Sequence, residues 1–255
     1  MYSHLFSMNV EAMVGIFNRL RAWFAHFVIV YVFGWNYKRQ NYDAYKKDRH
    51  VVIFLHTSMY DLLLNVLFSY ALDLPFITVG SRRVKSPNTL STGFCHLMYS
   101  FFDTVIVDGE KPLTSDIIVS ELEDRDDFLF VLAPEGSQYR TDDLKPAFNT
   151  IAKRTQANIV LLDLDYAKHT IDLRTIVDKN VVIHSEYDRI HELAIEELVQ
   201  CYPLDAGQTF LIDRLLEKAN RRTTSVLNIN NSILRFGPFS VVLLVIAKII
   251  YTTYL

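Results

Sequence analysis

Leu55-His56-Thr57-Ser58-Met59-Tyr60-Asp61 is the stretch on which the reading of this chain turns. An apolar run, Val51-Val52-Ile53-Phe54, leads into it, and Leu62, Leu63, Leu64, Val66, Leu67 and Phe68 follow it. The run reads as a buried strand and the pattern after it as a helix. A histidine at a strand end can meet a carboxylate in the first helical turn. Such a pair makes a base that can take a proton from an alcohol. The same residues also read as a capping box. Ser58 then caps the helix, Asp61 sits near its positive end, and His56 is an ordinary strand-end residue.

The length of 255 residues suits one large α/β domain. Half the residues are hydrophobic, and 14 Tyr, 17 Phe and 2 Trp suit both a large core and a membrane-facing surface. The formal net charge of -3 provides no basic field for nucleic acid, so nucleic acid is not an expected partner. Cys95 and Cys201 define neither a disulfide framework nor a zinc pattern, which fits a reducing compartment. No short ligand spacing joins His56, Asp61, His96 and Glu135 into a metal site, and none is expected.

Further strands are expected at 74–80, 104–108, 128–132 and 158–164, with helices at 90–101, 115–124 and 147–155. Helices are also expected at 188–200 and 208–221, beyond a stretch where the pattern weakens after residue 178. Strands alternating with helices predict an α/β fold: a single domain with a mostly parallel or mixed central sheet flanked by helices. Functional groups then gather at strand ends. His56, Gly109, Glu135 and the basic run Arg82-Arg83-Val84-Lys85 all lie at or just after such ends. Three cations within four residues can form an anion site, or simply a solvated loop.

Apolar membrane-associated helices are expected at both ends, which divides the chain into segments 1–40, 41–235 and 236–255. The first lacks the basic region of a secretory signal. Its charge-free part, 22–37, is shorter than the ~20 residues a spanning helix needs. It reads as a helix lying in or re-entering a membrane interface, with Trp23, Trp35 and Tyr37 as interfacial aromatics, or as a buried core helix. Segment 236–255 is apolar apart from Lys248 and long enough to span a bilayer. Arg221, Arg222 and Arg235 precede it, which suits a tail anchor with the main domain on the cytoplasmic side.

Two blocks together carry a resemblance. His56-Thr-Ser-Met-Tyr-Asp61 matches a His-x4-Asp signature, and Pro134-Glu135-Gly136-Ser137 matches a Pro-Glu-Gly-Thr/Ser block. Each follows an apolar strand, in the order and at the separation of the glycerophospholipid acyltransferase family, which includes the 1-acylglycerol-3-phosphate acyltransferases. Leu161-Leu162-Asp163-Leu164-Asp165-Tyr166 is also similar to a bacterial-type branch, and the likeness covers about residues 51–168.

The resemblance implies transfer of a fatty acyl group from acyl-CoA, a co-substrate rather than a cofactor, to a lysophospholipid hydroxyl. Lysophosphatidate is the leading acceptor. His56 is the implied general base, oriented by Asp61, while Glu135, Gly136 and Ser137 shape the acceptor site. The family's phosphate-linked arginines are missing from their usual places. Asp108-Gly109 stands where Asp-Arg is usual, and Gln138 follows Ser137 where Arg is usual. Lys111, Arg140 and the Arg82/Arg83/Lys85 group are the cations left to replace them; a different acceptor is the other reading. Two other functions use the same residues: an acyl-ester hydrolase, in which His56 activates water, and a lipid-binding relative without catalysis.

Overall fold

The computed structural model describes residues 2–37, 42–56, 59–81, 102–107, 114–135, 144–198 and 200–201, with side chains in the first helix from residue 15. The chain divides into two compact units, Met1–Leu215 and Leu216–Leu255, and every described residue belongs to the first. The expected segment 236–255 and the helices expected at 90–101 and 208–221 lie outside the described residues.

Among the described residues seven strands form one mixed sheet in the order β1-β7-β6-β2-β5-β3-β4. They are β1 (Asn36–Tyr37), β2 (Arg49–Ile53), β3 (Phe76–Ser81), β4 (Asp103–Val107), β5 (Phe128–Leu132), β6 (Asn158–Asp165) and β7 (Thr170–Val177). Strands β6, β2, β5, β3 and β4 run parallel. Strand β7 turns back antiparallel to β6, and the short β1 runs parallel to β7 at the edge. Among the described residues six α-helices flank the sheet: α1 (Tyr2–Phe27), α2 (Met59–Leu72), α3 (Thr114–Leu122), α4 (Ala147–Thr155), α5 (Lys179–His184) and α6 (Tyr187–Leu198). The expected α/β architecture with a mixed, helix-flanked sheet is therefore observed.

Besides β1, two strand features differ from the sequence expectation. The whole of β7 was missed because its burial alternates rather than running apolar throughout. β2 starts two residues early because Arg49 and His50 already pair with Phe128 and Leu129 of β5. Apolar content marks where a strand is buried, not where its ladder begins.

Side-chain alternation sorts the core into two layers. Val51, Ile53, Phe128, Phe130, Ile159 and Leu161 point to the face covered by α3, α4, α5 and α6. Their neighbours Val52, Leu129, Val131, Val160 and Leu162 are equally buried and point to the other face. There Phe68 of α2 meets Phe76, the register partner of Leu129. Helix α1 lies on the same side: Arg21 stands over the Tyr70 ring of α2 at 4.4 Å and reaches Asp73 Oδ1 at 3.5 Å.

The charge-free stretch 22–37 is not one helix. α1 ends at Phe27, a π-helical turn covers Val28–Val32, Gly34 takes a left-handed φ of 70°, and β1 follows. Ala25, Val28, Ile29, Phe33 and Trp35 are buried, whereas Trp23, Phe27 and Tyr31 are exposed. One face of the stretch is thus buried, as the core-helix reading expects, and the other is exposed. Among the described residues no helix is long and apolar enough to cross a membrane.

A polar cluster closes the edge where β2 and β6 begin. Lys179 Nζ donates to both Asp48 carboxylate oxygens at 3.0 Å, and Asn158 Nδ2 donates to Asp48 Oδ2 at 3.2 Å. His50 is buried beside them, with its Nε2 unpartnered. Burial holds the His50 imidazole below its ordinary 6.5; Lys179 adds to this and Asp48 opposes it. The unfolded chain therefore takes up this proton at a higher pH than the folded chain. The stability this group contributes is fully present above its ordinary 6.5 and is lost as pH falls from there through the lower folded-state value. Denaturant unfolding should show that acid-side loss, and His50→Phe should make it shallower. An unchanged acid profile in the variant would exclude this role.

Candidate active site

Three neighbouring parallel strands, β5, β2 and β6, end at the same edge, and the chain beyond each end supplies one polar group. Past β2, Phe54 and Leu55 stay buried and His56 follows. Past β5 comes Glu135, and past β6 comes Tyr166. Alternation puts His56 with Val52 and Phe54, and Tyr166 with Leu162 and Leu164, on the α2 side of the sheet. Continuing the β2–β5 register, Ile53↔Leu132, sets His56 opposite Glu135. Accordingly the His56 N–H donates to Glu135 Oε2 at 3.4 Å.

Helix α2 brings the fourth group. Asp61 lies in its first turn, where a carboxylate is favoured by the helix dipole, and is fully buried. Its Oδ2 stands 3.5 Å from His56 Nδ1. That is ion-pair range and longer than a formed hydrogen bond; catalytic pairs commonly tighten only when substrate binds. Its Oδ1 accepts a 2.5 Å hydrogen bond from the Tyr166 hydroxyl. Burial first, then the Asp61 charge, pushes the Tyr166 phenol well above its ordinary 10, so it serves as a neutral donor.

Local chemistry explains the position of Tyr166. It opens the β6–β7 turn, which Asp165 closes by accepting from the Lys168 N–H at 2.9 Å and from Lys168 Nζ at 2.6 Å. His169 in that turn has a left-handed φ of 51°, and its carbonyl accepts from the Asn36 N–H at 2.8 Å. The π-helical turn and β1 thereby deliver Trp35 onto the site. Trp35 packs edge-on to the Tyr166 ring at 4.8 Å and stacks on His169 at 5.5 Å.

The expected pair, His56 and Asp61, is brought together across the strand-to-helix turn. Glu135 stands beside it, but its carboxylate is wholly buried and turned onto the His56 backbone. Its observed contact thus fixes the end of β2, a role the sequence did not suggest. Gly136, Ser137, Arg140, Lys111, Arg82, Arg83 and Lys85 lie outside the described residues, as does the expected cap Ser58. Among the described residues no group of three or more His, Cys, Asp or Glu side chains is placed to hold a metal ion.

Sequence reading missed Tyr166 as a site residue, although it sits one position beyond a buried strand that ends at the same edge as His56. The available signal was strand parity: it separates Tyr166 from Asp163 and Asp165 and assigns it to the α2 face.

No family model matches the chain, no curated protein matches it, and no solved structure matches it.

Proposed function

We propose that this chain is a membrane-associated acyltransferase that moves a fatty acyl group from acyl-CoA to a lysophospholipid hydroxyl, with lysophosphatidate the leading acceptor. The observation that carries this reading is the His56 imidazole facing the buried Asp61 carboxylate at 3.5 Å, at the C-terminal ends of neighbouring parallel strands of the mixed sheet. With Nδ1 turned to Asp61, Nε2 takes the proton of the acceptor hydroxyl. The oxygen attacks the thioester carbon, and the tetrahedral oxyanion is held by backbone N–H groups in the first turn of α2. The carbon–sulfur bond then breaks, and the departing thiolate recovers the proton from His56. The thioester is already activated, so no protein nucleophile is needed. Arg82, Arg83, Lys85, Lys111 and Arg140 are the cations this reading assigns to the acceptor and coenzyme phosphates.

Purified protein incubated with labelled oleoyl-CoA and a panel of lysolipids, analysed by mass spectrometry, tests the proposal. Acyl transfer to a lysolipid, with lysophosphatidate best, is the expected result. Free fatty acid released without an acceptor would make the protein a hydrolase. Lipid binding with no turnover would make it a non-catalytic relative.

The membrane part of the proposal is supported by α1 and the turn after it. Ile16, Leu20, Trp23, Phe27 and Tyr31 recur at helical spacing and are all exposed, with Trp23 at 64% and Tyr31 at 71%. Trp23 and Phe27 stack at 5.8 Å, and Phe27 meets Tyr31 at 5.5 Å. Apolar and interfacial aromatic residues in one exposed stripe suit a bilayer surface. The two tryptophans make this measurable, because Trp35 is buried at 1% exposure. Vesicles of brominated anionic phospholipid should quench the fluorescence of Trp23 and spare that of Trp35. The quenchable fraction should survive high salt, since apolar burial rather than surface charge holds the stripe. It should disappear in Trp23→Phe. Wild-type fluorescence that bromolipid leaves untouched would sink the stripe as a membrane contact.

A further inference from the structure

We infer that Tyr166 is a positioning residue of the His56–Asp61 pair, its hydroxyl holding the Asp61 carboxylate in the orientation that faces the imidazole. The inference rests on the acyl-transfer reading for its effect on rate, but not for its geometry.

The two oxygens of Asp61 meet groups from different strands' ends: Oδ1 accepts from the Tyr166 hydroxyl at 2.5 Å, and Oδ2 faces His56 Nδ1 at 3.5 Å. Rotation of the carboxylate would give up both. The phenol itself has little freedom. Tyr166 is 2% exposed and Trp35 packs against its ring, with His169 backing Trp35. A phenylalanine would fill the same volume without burying a hydroxyl. Here the hydroxyl donates to the buried carboxylate that faces the His56 imidazole. Tyr60 on α2, Glu135 after β5 and His169 behind Trp35 are titratable groups that also border this cluster. Glu135 does not take the place of Tyr166 as a donor at Oδ1, because it is an acceptor turned to the His56 backbone.

A carboxylate that orients a histidine selects which ring nitrogen carries the proton. The wild-type protein should therefore hold the neutral His56 proton on Nδ1, leaving Nε2 free as the base. Loosening Asp61 should mix the two tautomers and lower the rate of the chemical step, while leaving acyl-CoA binding alone.

The test is Tyr166→Phe in the full chain. Nitrogen-15 spectra of the His56 ring, assigned by comparison with His56→Ala, should show loss of the single Nδ1–H tautomer. The kcat for transfer should fall by about ten- to a hundredfold, the worth of one hydrogen bond to a charged group. The KM for acyl-CoA should stay near its wild-type value. A variant that folds with the wild-type tautomer and wild-type kcat would overturn the inference and leave Tyr166 a packing residue. If Tyr166→Phe does not fold, 3,5-difluorotyrosine placed at 166 keeps the shape and strengthens the donor; it should move the His56 Nδ1 resonance, and an unmoved resonance overturns the inference. The spectra need no substrate. Absence of acyl transfer in the wild type would remove the proposed activity, whereas an unchanged His56 spectrum in the variant would remove the positioning role.

Discussion

His56→Ala is expected to abolish measurable acyl transfer while leaving the fold and membrane binding in place. General-base catalysis contributes about 10²–10⁴-fold, so the residual rate should lie at least that far below wild type. The fold should tolerate the change. The His56 side chain is partly exposed, its Nδ1 makes no hydrogen bond, and its backbone N–H contact to Glu135 survives in alanine. Asp61→Asn should lose a comparable factor. The amide keeps the volume and still accepts from Tyr166, but it removes the charge that stabilises a protonated imidazole. Rate measurements with circular dichroism as the folding control decide both. Near-normal transfer in His56→Ala would leave Ser58-x-x-Asp61 as a helix start and nothing more.

Trp35→Ala is expected to have the largest effect on stability. Trp35 is 1% exposed and among the largest fully buried side chains of the described residues. Truncating a buried tryptophan typically costs about 3–5 kcal/mol through lost burial and the cavity left behind. Domains of this kind have only about 5–15 kcal/mol in total, so the loss is a large share. Losing the edge-on contact with Tyr166 adds to it, since aromatic pairs contribute about 0.5–1.5 kcal/mol beyond their area. Urea unfolding should show a lower midpoint with an unchanged slope. Trp35→Phe should fall between the two, because it keeps a ring against Tyr166. A loss below about 1 kcal/mol in Trp35→Ala would mean that the neighbourhood collapses onto the gap.

Trp35 also shows how one residue can be read in two ways. As an aromatic in a charge-free N-terminal stretch, it is expected at a membrane interface beside Trp23. The structure separates the two. Trp23 lies on the open face of α1, while α1 gives way to the π-helical turn and the left-handed Gly34, and Trp35 beyond them is buried in the core. Helical spacing alone cannot foresee that break in the helix.

The amino-acid order by itself determined the parts whose cause is local. The unbroken apolar runs of β2, β5 and β6 mark strands buried on both faces. The helical spacing after residue 59 marks α2, and the four-residue gap between His56 and Asp61 puts base and carboxylate across one strand-to-helix turn. Only the tertiary structure decided the order β1-β7-β6-β2-β5-β3-β4, because pairing depends on contacts between segments far apart in the chain. That order places β5 and β6 on either side of β2. It thereby sets Glu135 beneath the His56 backbone and the Tyr166 hydroxyl, 105 residues away in sequence, on Asp61. A hydrogen bond between such distant residues has no local signature: each looks like an ordinary strand-end or helix-start residue until the sheet brings them together.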